Sequence, residues 1–245
     1  MDTQGRVALV TGSAHRVGKA IAIGLAERGV DIAVHHHRST DAATSTAAEL
    51  RDLGVRAHPI AADLRETAQV AKLFEDVEAT FGGLDILVNS AAVFERSDAL
   101  AIAADDWDRL MSLNLRAPFL CSQHAARSMR ARGRQGRIIN IADVAAFEAW
   151  PGYAHYCVSK AGLVALTRVL ARAFAPDILV NAVAPGTVLP PEGTDKEERA
   201  ELAGMSALGR IGDPDDIARA VVFLVESDYV TGETIVVDGG MMLRS

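Results

Sequence analysis

The sequence predicts an α/β protein: one domain, spanning residues 1–245, on a doubly wound parallel sheet of about seven strands with helices on both faces. Three observations carry this. Short β-branched apolar runs alternate with longer helix-patterned segments along the whole chain. The runs are nearly continuous in apolar residues, as strands covered on both faces are. No Pro-, Gly- or Ser-rich linker, repeat or low-complexity block divides the 245 residues, a length one domain can reach.

Taken in order, VALV at 7–10 predicts the first strand, and the pattern at 17–28 the first helix. DIAVH at 31–35 and AHPI at 57–60 predict the next two strands, separated by a helix near 41–53. A helix near 66–80 leads to ILV at 86–88, and a long helix over 105–131 leads to IINI at 138–141. A helix over 155–174, LVNAV at 179–183, a helix over 214–226 and TIVV at 234–237 complete the alternation. The segment 189–213, LPPEGTDKEERAELAGMSALGRIGD, breaks the rhythm: it is polar, charged and punctuated by Pro and Gly. It follows the C-terminal end of a strand, where open α/β sheets bind ligands, so it is read as a mobile substrate lid with a short helix.

Hydrophobic residues make up 49% and charged residues 23% of the chain, as in soluble globular proteins. The net charge of −7 argues against nucleic acid or acidic membrane surfaces as partners. A phosphate-bearing ligand therefore needs a local basic site. Cys121 and Cys157 have no metal-like or redox-like spacing, which favours a reducing compartment. The start MDTQGRVALV carries no secretion signal, and no apolar stretch approaches the roughly 18 residues of a membrane span. The expectation is a soluble cytoplasmic protein with a small-molecule substrate.

The first strand runs into TGSAHRVGKAIA. Gly12 suits a tight turn and Gly18 a close helix–strand approach. The helix N-terminus then offers free N–H groups to a pyrophosphate, as in a Rossmann-type site. Arg16 stands where such loops often carry a middle glycine, and it can contact a phosphate or a substrate. The second strand ends in VHHHRS, with no acid to select a ribose 2′-hydroxyl. Arg38 offers a fork of donors to a 2′-phosphate and Ser39 a hydroxyl, so the predicted cofactor is NADPH. Neighbouring strand residues face opposite ways, so His35, His36 and His37 are not expected to bind a metal. Asp63 can accept from an adenine amino group or cap the next helix.

Tyr156 and Lys160 stand at i and i+4 of a predicted helix and share a face. A lysine ammonium near a phenol favours the phenolate, and such a tyrosine can pass a proton near neutral pH. Asp143 lies thirteen residues before Tyr156. Its offset argues against a mere helix cap. A carboxyl group there can hold and relay a proton, especially in a pocket that raises its pKa.

Over essentially its whole length the chain resembles the short-chain dehydrogenase/reductase superfamily. The matching pieces are TGSAHRVG, NSAA at 89–92, Asn114 in MSLNLRAPF, YCVSK at 156–160, APGTV at 184–188 and VTGETIVVDGG. The resemblance implies hydride transfer with a nicotinamide cofactor. It implies Tyr156 as acid/base, Lys160 on the ribose and Asn114 supporting a water-mediated proton path. It implies cofactor contacts from Gly12, Arg16, Val17, Gly18, His37, Arg38, Ser39, Asp63, Leu64, Asn89, Ser90, Ala91, Tyr156, Lys160, Pro185, Gly186, Thr187 and Val188. It also implies a homo-oligomer, a tetramer in many members. Most members have serine where this chain has Asp143 and glycine where it has Arg16. Both departures resemble the pteridine reductase branch, as does HHHRS beside that branch's HxHRS. In that likeness Phe94 matches an aromatic that stacks on the pterin, Tyr153 lines the same pocket, and SALGR at 206–210 fits the lid. Trp150 and Glu148 share the loop without an assigned role.

Three functions are thus open. The first is an NADPH-dependent reductase of a dihydropterin-like heterocycle, with Arg16, Phe94, Asp143, Tyr153 and Tyr156 around the substrate. The second is a 3-oxoacyl or other carbonyl reductase of the same superfamily. The third is a non-catalytic NADPH-binding sensor or scaffold, against which Asn114, Tyr156 and Lys160 all speak.

Overall fold

The computed structural model describes residues 1–190 and 193–243. Seven strands pair in one sheet: β1 Val7–Val10, β2 Asp31–His36, β3 Ala57–Ala61, β4 Ile86–Asn89, β5 Gly136–Ile141, β6 Ile178–Pro185 and β7 Thr234–Val237. Their order is β3-β2-β1-β4-β5-β6-β7, with every neighbouring pair parallel. The helices are α1 Arg16–Ala26, α2 Thr40–Asp52, α3 Thr67–Phe81, α4 Ala104–Met111, α5 Ala117–Ala131, α6 Ala154–Phe174, α7 Lys196–Gly204 and α8 Pro214–Glu226.

Strand alternation divides the core between two faces. Ile32 and Val34 of β2 pack with Ile21 and Leu25 of α1, Leu50 of α2 and Val221 of α8. Ala33 of the same strand packs with Leu73 of α3, Met129 of α5 and Leu170 of α6. Each fully buried Leu or Ile contributes about 1.5–3 kcal/mol relative to exposure, so the sheet is held from both sides. Because β1 turns to β2 on one side and β4 on the other, the crevice opens at the C-terminal ends of β1 and β4.

One expectation about the elements is corrected. The single helix over 105–131 is three pieces, with a π-helical turn at Ser112–Arg116 between α4 and α5. Pro118 in the first turn of α5 has no N–H to donate, so the regular ladder cannot continue through it. Asn114 sits in the widened turn and is buried.

The 189–213 segment does hold a short helix, α7, capped by Asp195, whose carboxylate accepts from Glu198 N at 2.9 Å. Its second half, however, is anchored. Ser206 Oγ donates to Gly239 O at 3.0 Å and Gly212 N donates to Thr187 O at 3.0 Å. Pro191 and Glu192 of this segment lie outside the described residues.

Candidate active site

Gly12 ends β1 in a left-handed conformation, φ 69°. A Cβ there would lie 3.0 Å from Ala91 Cα, and one at Gly18 would lie 2.4 Å from Gly12 O. Both positions thus need glycine, one for close approach to the β4 loop and one for close helix packing. Thr11, which sequence reasoning passed over, staples the two loops: its Oγ1 accepts from Ser90 N at 2.9 Å and Ala91 N at 3.0 Å.

Arg16 adopts φ 57°, the left-handed region where a side chain costs about 1–2 kcal/mol. The position of the absent glycine therefore keeps the backbone geometry that favours glycine. Arg16 Nη2 donates to Leu189 O at 2.9 Å, tying the turn to the start of the 189–213 segment. Arg16→Gly is expected to leave the melting temperature unchanged or raise it, since one exposed hydrogen bond is worth about 1 kcal/mol. A clear drop in a thermal melt would show that the Leu189 contact outweighs the strain.

A cavity of about 540 Å³ opens at this crevice. Gly12, Arg16, Val17 and Gly18 of the turn line it, with His37, Arg38 and Ser39 after β2. Asp63 and Leu64 after β3 and Ser90 and Ala91 after β4 complete the predicted set found there. Its glycine turn and its basic end fit an adenine dinucleotide. Asn89 lies behind the wall, donating to Asn140 Oδ1 at 2.8 Å. Pro185 ends β6, and Gly186 N donates to Val237 O at 3.0 Å. Thr187 and Val188 line a separate, smaller cavity against the SALGR stretch. Asp63 does not cap α3. Arg65 clamps both its oxygens and His37 Nε2 stands 3.5 Å away, which holds its carboxyl down at about 2.

His35 is a further residue the sequence did not single out. Gly12 N donates to its Nδ1 at 2.9 Å, and its Nε2 lies 3.1 Å from Ala62 O. This fixes the tautomer with the proton on Nε2 and braces the glycine turn against β3. Burial lowers its pKa from 6.5 to about 4. The unfolded chain thus binds the proton more readily, so this contribution is complete above about pH 6.5 and is lost as pH falls toward 4. The loss expected by pH 4 is on the order of 3 kcal/mol. Denaturant titrations from neutral to acid should show it, and His35→Asn should flatten that slope. An equal slope in the variant would assign the loss to other groups.

The chemical end is built on α6. Tyr156 Oη donates to Asp143 Oδ2 at 2.8 Å, and Asp143 Oδ1 accepts from Ala145 N at 2.8 Å. Asp143 is therefore a turn cap as well as a partner of the tyrosine, which corrects the reading that set capping aside. Burial raises its pKa, against the opposing pull of the Ala145 N–H and the Lys160 charge. Tyr156 is also pushed up, by burial first and then by Asp143, so the phenol stays protonated. The expectation that Lys160 draws it toward phenolate is not met. Lys160 Nζ donates to Ile141 O at 2.8 Å and stands 5.7 Å from the Tyr156 ring centroid. Burial lowers its own pKa to about 8, with Asp143 opposing. Asn114 spends its amide on the β4 loop, accepting from Val93 N at 3.0 Å and donating to Val93 O at 2.9 Å.

Phe94 stacks on Tyr153, with centroids 4.6 Å apart and planes at 12°, and meets Tyr156 edge-on at 4.8 Å. It remains 53% exposed, unlike a core phenylalanine. Trp150 packs edge-on to Tyr153, and its Nε1 donates to Glu148 Oε2 at 2.6 Å. The outcome is an aromatic wall beside a hydrogen-bonded phenol–carboxyl pair.

Fold and site together define a dinucleotide-linked oxidoreductase, and the chain belongs to the short-chain dehydrogenase/reductase family. The family model described as Enoyl-(Acyl carrier protein) reductase matches residues 12–242. The chain is 38% identical to 2-dehydro-3-deoxy-D-gluconate 5-dehydrogenase of Escherichia coli, over 98% of this chain and 97% of that one. It is 36% identical to 3-oxoacyl-[acyl-carrier-protein] reductase FabG of Staphylococcus aureus, over 96% and 98%. A solved gluconate 5-dehydrogenase from Burkholderia cenocepacia, in complex with NADP and tartrate, superposes with a TM-score of 0.91. It shares 36% identity, covering 99% of this chain and 97% of that one. Among the described residues no helix is long and apolar enough to cross a membrane.

Proposed function

We propose that the chain is an NADPH-dependent reductase that adds hydride and a proton across the C=N bond of a flat, pterin-like heterocycle. The observation that carries this is the 2.8 Å bond from Tyr156 to a buried carboxyl group, Asp143. Reduction needs a proton donor in the site, and the Tyr156 phenol, held protonated by burial and by Asp143, is positioned as one. Asp143, its own pKa raised, can replace the proton that Tyr156 gives up. Protonating a ring nitrogen suits this pair better than a neutral serine hydroxyl does. The half-exposed Phe94 offers a face for the ring.

The residues that would hold the cofactor are the glycine turn, Arg38 and Ser39 at its phosphates, and Lys160 near the ribose. Bound there, the nicotinamide supplies the hydride. The lack of an acid after β2 supports NADPH over NADH, as does the NADP in the Burkholderia cenocepacia relative. A homotetramer accords with the exposed Phe119 and Val169 on α5 and α6 and with Phe223 on α8, and light scattering would test it.

The relatives favour a second reading, a carbonyl reductase. The discriminating experiment follows NADPH oxidation with dihydrobiopterin and dihydrofolate beside an acetoacetyl thioester and simple ketones. Turnover of the pterins is the expected result. Turnover of the thioester or ketones alone would replace the first reading by the second.

A further inference from the structure

We propose that Arg96 binds the substrate, and that the substrate carries an anionic group, a carboxylate, on a tail that extends past the face of Phe94. This rests on the pterin reading above and deepens it: among pterin-like heterocycles, the site favours those with an acidic tail over those with a neutral one.

Exposure alternates along the loop after β4: Phe94 and Arg96 are exposed, while Val93, Glu95 and Ser97 are partly covered. That period of two is the period of an extended chain, so Phe94 and Arg96 project on the same side. Two residues of such a chain span about 7 Å, so a ring stacked on Phe94 leaves Arg96 beyond its edge. Two contacts hold the segment against the turn that ends in Tyr153. Ser97 N donates to Gly152 O at 2.9 Å, and the stem of Arg96 lies over Gly152 itself. A Cβ at Gly152 would stand 3.2 Å from Arg96 Nε and 3.4 Å from its Cγ, so the glycine leaves the lane that the arginine occupies. Tyr153, next in that turn, is the residue stacked on Phe94. The arginine is thus placed at the rim of the aromatic wall.

Its charge is uncompensated. Among the described residues Arg96 makes neither a hydrogen bond nor an ion pair. The carboxylates beside it in the chain are committed elsewhere. Arg109 holds both oxygens of Glu95, at 2.8 and 2.7 Å, and Asp98 Oδ1 accepts from Leu100 N at 2.9 Å. Glu148, on the loop before Tyr153, accepts from Trp150 Nε1. The capture of Glu95 by Arg109 therefore keeps the adjacent arginine available. The chain as a whole carries −7, which repels an anionic substrate. An unpaired guanidinium at the rim reverses that sign locally, and its planar fork matches a carboxylate with two parallel bonds.

The test measures KM and kcat for two pairs of substrates that differ in charge. Dihydrofolate, whose tail ends in carboxylates, is set beside dihydrobiopterin, whose tail carries only hydroxyls. Acetoacetate is set beside its ethyl ester. Arg96→Gln is expected to raise KM for dihydrofolate about tenfold, with its kcat and both dihydrobiopterin constants within about twofold. Arg96→Lys should recover part of that loss, since it keeps the charge without the fork. Added salt should raise the wild-type KM for dihydrofolate more steeply than that of Arg96→Gln. Arg96 is exposed, so the variants are expected to fold, and the dihydrobiopterin constants check that they do. Equal effects on the charged and the neutral member of a pair, or no effect on either, would overturn the role of Arg96. Turnover of the carbonyl pair alone would instead overturn the pterin reading, and acetoacetate against its ester would then decide the role of Arg96.

Discussion

Tyr156→Phe is expected to lower kcat by about 10²–10⁴-fold, the usual contribution of a positioned acid. NADPH affinity should stay within about twofold, since the phenol bonds to Asp143 and not to the glycine turn. The variant leaves Asp143 Oδ2 without its donor in a buried site, so a stability cost of about 1–3 kcal/mol should accompany the loss. Steady-state kinetics, dye-free cofactor titration and a denaturant curve check the three parts. Retention of kcat would remove Tyr156 from proton transfer. A parallel collapse of cofactor binding would show that the phenol shapes the site as a whole.

Asp143→Asn is the second large effect. Asparagine keeps the shape and can still accept from Ala145 N, so the turn cap survives. What disappears is a carboxyl group that can hold a proton. Turnover is expected to fall by about 10²-fold with cofactor affinity unchanged. A pH signature should come with it. The Asp143 charge is one of the causes that raise the Tyr156 pKa. Its removal lets that value fall, so the residual activity should lose its proton donor at lower pH than the wild type does. An unchanged basic limb would show that the carboxylate does not set the state of the phenol.

The sheet was legible because its strands are short apolar runs buried on both faces; each predicted run lies within two residues of the observed strand. The division of 105–131 was not legible from periodicity, because a π turn keeps the apolar residues on nearly the same side. Pro118 was the available signal. Arg16 was legible as a missing glycine, and its φ of 57° shows that the turn kept its form.

The Asp143–Tyr156 pair was legible from spacing only by resemblance. Two 3₁₀ turns, Val144–Ala146 and Pro151–Tyr153, bring the groups into contact. The direction of the Tyr156 pKa was misread because it depends on burial and on a neighbouring carboxylate, neither visible in a four-residue interval. The bracing roles of His35 and Thr11 were not legible for a related reason. Their partners lie on other strands, so their roles exist only once the sheet has formed.

The most direct test of the central claim is the ratio of kcat/KM for dihydrobiopterin to kcat/KM for a ketone, in the wild type and in Asp143→Ser. Serine can still hydrogen-bond a carbonyl oxygen but cannot supply a proton to a ring nitrogen. The account predicts a fall in pterin kcat/KM of about 10²-fold, with ketone kcat/KM held or raised, so that the ratio drops by at least as much. An unchanged ratio, whether both activities fall together or both persist, would contradict it.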